Sequence, residues 1–207
     1  MRQRHLLIIG ILSVGASLVL GATGVATGFL GGRGGDIGIN RAVQIAQNAA
    51  SSYPGGDLKA DEVIGFSRNY YASVREKGSG IGAFEILIDR TSGSVTREPG
   101  PDMMWNTKYS MRGAVMNGGG MMGGSILTPS RVMTVTADQA QEIAQRWLDS
   151  NRAGSTTKSP DSFYGFYTVD FETSGHLAGM LSVNGYSGQV WYHSWHGSFI
   201  QLRDLGA

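Results

Sequence analysis

The stretch MLSVNGYSGQVWYHSWH, Met180 to His196, reads as strand, tight turn, strand. Apolar residues alternate up to Val183. Asn184-Gly185-Tyr186-Ser187-Gly188 then supplies turn chemistry, and Val190-Trp191-Tyr192 resumes a β pattern. An upstream stretch, EILIDRTSGSV from Glu85 to Val95, repeats it. Setting Glu85 on Met180 puts Ile86 on Leu181, Ile88 on Val183, Asp89 on Asn184, Ser92-Gly93 on Ser187-Gly188 and Val95 on Val190.

The elements around these stretches repeat as well. Asn40 is positioned to cap a helix over 41–50, with Ala42, Ile45, Ala46 and Ala49 on one apolar face. Strands are expected over 62–66, 70–76 and 83–89, with a return over 94–97. The pattern restarts at Thr136, whose TADQ sequence is a capping-box arrangement. A helix over 137–150 carries Ala140, Ile143, Ala144, Trp147 and Leu148 on its apolar face, echoing the Ala-x-x-Ile-Ala-Gln of the first helix. Strands over 163–171, 179–183 and 189–193 follow. Short turns make neighbouring strands antiparallel. The expected class is α+β: two repeated units, each a helix packed on a small antiparallel sheet, packed on each other after an N-terminal transmembrane helix.

That N-terminal helix is read from the uncharged run Leu6 to Leu30, preceded by Arg2, Arg4 and His5. The run exceeds the roughly 20 residues needed to span a bilayer. The basic flank predicts an inside N-terminus and an extracytoplasmic body on a single-pass cell-membrane anchor. A cleaved signal peptide is the alternative, and it leads to secretion. The expected segments are 1–30 as anchor or signal, 31–38 as Gly-rich linker, 39–100 as first unit, 101–132 as Met/Gly-rich connector and 133–207 as second unit.

The chain has no cysteine, which excludes disulfides, thiolate metal sites, cysteine nucleophiles and a lipoprotein anchor. A net charge of +1 gives no footprint for nucleic acid.

The paired order of elements, with Ala42, Ile45 and Ala46, then Tyr71, then Asp89-Arg90-Thr91-Ser92-Gly93-Ser94-Val95, resembles the PepSY domain. The second copy presents Ala140, Ile143 and Ala144, then Tyr167, then Asn184-Gly185-Tyr186-Ser187-Gly188-Gln189-Val190, with Asn184 where the family has aspartate. The resemblance covers residues 39–98 and 136–197. It implies an extracytoplasmic, non-catalytic module that inhibits or assists a peptidase or a membrane complex. With no peptidase sequence after the second copy, action in trans is the expectation.

The connector holds Met103, Met104, Met111, Met116, Met121 and Met122 among glycines. Thioethers suit Cu(I), so these methionines, with His193 and His196 of the second copy, are the candidate metal ligands, and copper is the candidate ion. Two histidines three apart share a side only on a turn or helix start. The competing reading makes the methionines packing or surface residues and puts the histidines in an aromatic cluster. Trp191, Tyr192 and Trp195 are the candidate contacts for an unidentified protein partner. No G-x-S-x-G elbow or H-E-x-x-H helix is present, so no catalytic residue is assigned. Glu85 and Asp89 share a strand face, read as solvated, and His176 is expected to be exposed in a hairpin.

Overall fold

The computed structural model describes residues 35–110 and 132–206. The apolar run Leu6 to Leu30, and with it the expected anchor, lies outside them. Among the described residues no helix is long and apolar enough to cross a membrane.

The elements in order are α1 (Ile39–Ser51), β1 (Leu58–Phe66), β2 (Asn69–Glu76), β3 (Gly82–Asp89), β4 (Val95–Arg97), α2 (Pro101–Met104), α3 (Ala137–Asn151), β5 (Ser155–Thr157), β6 (Asp161–Ser162), β7 (Phe166–Thr173), β8 (His176–Asn184), β9 (Val190–Tyr192) and β10 (Phe199–Asp204). The class is α+β with two antiparallel sheets, ordered β10-β1-β2-β3-β4 and β5-β7-β8-β9, with β6 also on β7.

Period-2 alternation sorts each sheet's side chains between two neighbours. Val63, Tyr70, Ala72, Val74, Ile86 and Ile88 pack under α1 with Ala42, Ala46 and Ala50. Tyr167, Val169, Phe171, Leu181 and Val183 pack under α3 with Ala140, Ala144 and Leu148. Alanine on both helix faces lets the helices lie close to the strands. The opposite faces meet each other. Ile64, Phe66 and Tyr71 of the first sheet share a core with Met180 of the second, and Thr168 on β7 donates a hydrogen bond of 2.7 Å to Glu85 on β3. The layers are therefore helix, sheet, sheet, helix.

The duplication holds position for position. Ile86, Leu87 and Ile88 pair with Arg97, Thr96 and Val95. Their counterparts Leu181, Ser182 and Val183 pair with Tyr192, Trp191 and Val190. In the two turns, Asp89 Oδ1 accepts from the Thr91 and Ser92 N–H groups, and Asn184 Oδ1 accepts from those of Tyr186 and Ser187. The acceptor oxygen makes the turn and the charge is dispensable.

Four expectations need correction. Helix α1 is not capped by Asn40, which lies within it; Gly38 is the N-cap and turns the chain earlier with a φ of 78°. The counterpart of Tyr167 is Tyr70, not Tyr71. Tyr70 pairs with Ile88 and Tyr167 with Val183, and each hydroxyl donates to the segment before its own helix, at Asp36 and at the Val135 carbonyl. Tyr71 instead faces the second sheet. Glu85 is not on a solvated face: it is fully buried, because the second sheet covers it, while Asp89 at the strand end is exposed. The chain's last strand, β10, returns to the first sheet, pairing Ile64 with Leu202 and Glu62 with Asp204.

The capping box of α3 is present as expected, with Thr136 Oγ1 accepting from the Gln139 N–H and Gln139 Oε1 accepting from the Thr136 N–H.

Candidate functional site

The two strand–turn–strand copies end in equivalent places. Glu98 follows β4, and its N–H donates to the Glu85 carbonyl at 3.0 Å. His193 follows β9, and its N–H donates to the Met180 carbonyl at 3.1 Å. Since Glu85 and Met180 are counterparts, so are Glu98 and His193. The packing of sheet on sheet brings these side chains together in the polar part of the inter-sheet layer.

His196 joins them from the turn between β9 and β10. That turn is gripped by the β1–β2 hairpin. The Arg68 N–H donates to the His196 carbonyl at 3.1 Å and the Ser67 N–H to the Ser198 carbonyl at 2.8 Å. The imidazole of His196 stacks on Phe66 with ring centroids 4.5 Å apart. Gly197, at φ 82°, lies so close to Ser67 that a Cβ there would collide with its hydroxyl. The chain can therefore make this bend only with glycine.

Glu98, His193 and His196 are 0%, 2% and 1% exposed. Glu98 Oε1 lies 3.0 Å from His196 Nε2 and 3.5 Å from His193 Nδ1, and one donor atom from each residue falls within 4.8 Å of the others. The Trp195 indole N–H donates to the same Oε1 at 3.0 Å. Glu98 Oε2, His193 Nδ1 and His196 Nε2 have no hydrogen-bond partner. Proximity at His196 is thus not a hydrogen bond, because the direction is wrong.

The remaining imidazole nitrogens are held. Asn69 Nδ2 donates to the Trp195 carbonyl at 3.1 Å, which leaves its Oδ1 to face His196 Nδ1 at 3.0 Å. An amide oxygen only accepts, so Nδ1 carries the proton. His193 Nε2 is 2.9 Å from the Ser182 hydroxyl. Around them, Tyr71 and Thr168 both donate to Glu85 Oε1 at 2.7 Å.

Burial pulls these groups toward neutrality, and the neighbours decide the outcome. Glu85 is pushed well above the usual carboxyl range, by burial first and then by the charge of Glu98. Burial would raise Glu98 too, but the two imidazoles outweigh it and hold its carboxyl well below that range. Burial lowers His196. The two tendencies conflict: an imidazolium is the natural counter-charge for Glu98, and the dry interior resists making one. Glu98 is held as the carboxylate, which also accepts the Trp195 N–H.

Of the expected ligands, His193 and His196 are neighbours on a turn, with ring centroids 5.6 Å apart, one of the arrangements their spacing allows. Met103 and Met104 are on α2 and 42% and 66% exposed. Met111, Met116, Met121 and Met122 lie outside the described residues. The expected partner contacts are half-buried and engaged within the chain. Trp191 packs edge-on against Trp105, Tyr192 stacks on Trp147 and accepts from Arg152 at 2.9 Å, and Trp195 bonds Glu98. His176 is exposed, as expected. Glu98 escaped the sequence reading. The signal that locates it is the repeat alignment, which sets it on His193.

No protein-family model matches the chain, and no curated protein matches it. Among solved structures the chain is similar to the Bacillus megaterium YpeB C-terminal domain, at 12% identity and a TM-score of 0.25. The likeness covers 76% of this chain and 62% of that one, so the chain spans less than two thirds of its neighbour.

Proposed function

We propose that the protein is a non-catalytic, extracytoplasmic binding protein, anchored by Leu6 to Leu30, whose paired PepSY-like units act on a protein partner such as a peptidase or a membrane complex. One observation carries the reading. The Glu98, His193 and His196 cluster, the densest chemistry among the described residues, is buried between the two sheets rather than set in a surface cleft. The shallow surface cleft lined by Lys59, Asp61, Arg75 and Glu76 holds charges already paired, Arg75 with Asp61 at 2.7 Å and Lys108 with Glu76 at 2.6 Å. Such an arrangement suits recognition through the outer surfaces and sheet edges. Recovery of the intact protein from membranes in mild detergent tests it: co-purification of a defined protein is expected, and a bare monomer overturns it.

A second reading is soft-metal handling through the connector, favoured by the solvent exposure of Met103 and Met104. Changing Met103, Met104, Met111, Met116, Met121 and Met122 together to Leu should abolish tight Cu(I) uptake. Unchanged uptake sinks this reading.

A further inference from the structure

We infer that Glu98, His193 and His196 form a binding site for one divalent first-row transition ion, of which Zn²⁺ is the representative, clamping the two repeats together at equivalent ends of their duplicated turns. This goes beyond the partner-binding reading and stands independently of it. It also differs from the thioether reading, because the donors are two imidazoles and a carboxylate.

The geometry carries the inference. Zn²⁺ binds imidazole nitrogen and carboxylate oxygen at about 2.0–2.2 Å, so neighbouring donors around a tetrahedral ion lie about 3.4 Å apart. The Glu98 oxygen sits 3.0 Å from one imidazole nitrogen and 3.5 Å from the other. Both nitrogens, and Glu98 Oε2, are buried without a hydrogen-bond partner. Unpaired buried polar atoms are costly and rare. Two unpartnered imidazole nitrogens set around one carboxylate, with donor atoms of all three residues within 4.8 Å of one another, are what a dry, preformed ligand set looks like.

Tautomer chemistry points the same way. The proton on His196 Nδ1 is committed to Asn69, so in the neutral ring Nε2 presents a lone pair. That lone pair lies beside a carboxylate oxygen 3.0 Å away without pointing straight at it. Two electron-rich atoms do not approach so closely without a cation between them. A proton on Nε2 could supply the charge, but it would create an imidazolium in the dry layer and does not lie along the line to Oε1. A metal ion needs no such line: it accepts both lone pairs. The outer contacts fit the pattern, since ligating histidines almost always engage their other ring nitrogen with a carboxylate, a carbonyl or water. The Asn69 side-chain carbonyl does this for His196, and the Ser182 hydroxyl holds the other nitrogen of His193. The Trp195 N–H does it for the carboxylate.

An ion also answers the site's charge. A buried carboxylate without a cation is expensive. Access runs through the turn itself, where Ser194 and Gly197 are exposed on either side of the buried rings.

The test uses the full-length chain in mild detergent, stripped with chelator and titrated with Zn²⁺ against a chromophoric competitor. Co²⁺ serves as the spectroscopic probe. One equivalent is expected, with the visible bands of a tetrahedral nitrogen–oxygen Co²⁺ site that Zn²⁺ bleaches. Glu98→Gln and His196→Ala should abolish it. Asn69→Ala, which removes only the outer partner, should weaken it about 10- to 100-fold. His176→Ala and the Met103→Leu/Met104→Leu double variant should leave it unchanged. Circular dichroism identifies variants that fail to fold. The wild-type stoichiometry and the Co²⁺ spectrum decide the matter without them. Uptake of less than one equivalent by the wild type, or uptake that folded Glu98→Gln retains, overturns the inference.

Discussion

Gly93 and Gly188 occupy the same corner of the two repeats, at φ 72° and 70°. A Cβ on the first would come within 3.0 Å of Ile45, and on the second within 3.1 Å of Ile143. Those isoleucines are themselves counterparts on α1 and α3. Left-handed backbone costs an L-residue about 1–2 kcal/mol, and the helix contact adds to it. Gly93→Ala and Gly188→Ala should therefore each destabilise by about 2 kcal/mol in urea unfolding, and by similar amounts. Asn184→Asp, which keeps the accepting oxygen, should change stability by less than about 0.5 kcal/mol. Widely different glycine costs would break the claimed equivalence of the corners. These positions were readable from the chain because turn chemistry is local. Glu85 was not. An alternating strand shows which residues share a face, but not whether a second sheet lies over it, so a buried carboxylate looked solvated. Glu98 was hidden for the same reason: its partners arrive through packing and lie far away along the chain.

At the scale of elements, the helices were legible from their alanine stripes and the strands from alternation, whereas strand β10 was not. Its alternation is weak, and its partner is β1, on the far side of the chain's order. Nothing local specifies such a return. The consequence is structural closure: β10 covers the β1 edge and carries the turn that holds both histidines. Removing residues 199–206 should bare the β1 ladder and convert the protein to higher oligomers, visible by size-exclusion chromatography with light scattering. A truncated chain that stays monomeric with unchanged stability would show that β10 is an accessory. The two helices differ in a way that can be measured separately. Helix α3 has a full capping box, while α1 has no side-chain cap. Thr136→Ala should cost about 1 kcal/mol, whereas Asn40→Ala, inside α1 and exposed, should cost nothing measurable or stabilise slightly, since alanine is the better helix former.

For the whole molecule, the polar layer between the sheets makes stability depend on pH in a direction that can be worked out. Glu85 and Asp102 are fully buried. Burial lifts Glu85 well above its usual range, and it lifts Asp102 to about 7 despite the Arg97 guanidinium beside it. Half-buried Glu62 and Asp170 follow, to about 8 and about 7, again chiefly through burial. In the unfolded chain these carboxyls lose their protons near pH 4. From there up to their folded values the native state binds more protons than the unfolded state, so stability falls as pH rises. His196 works against this below its unfolded value of about 6.5, because burial denies it a proton that the unfolded chain binds. Above pH 6.5 that opposition ends. Glu76 and Glu98 act at the acid end. Both are held low, Glu76 to about 2 by Lys108 and three hydroxyls against its burial, so their contribution is present above pH 4.5 and lost as the pH drops through their folded values. The melting temperature should therefore fall at both ends. Its decline from pH 6.5 to 8, measured by circular dichroism in the presence of chelator, should amount to roughly 5 °C or more. Glu62→Gln removes the carboxyl whose folded value lies highest among the numbered ones, and should flatten that decline. A profile that is level or rising between pH 6.5 and 8 would mean that these carboxyls are ionised in the folded protein, and that the layer between the sheets is wetter than its geometry requires.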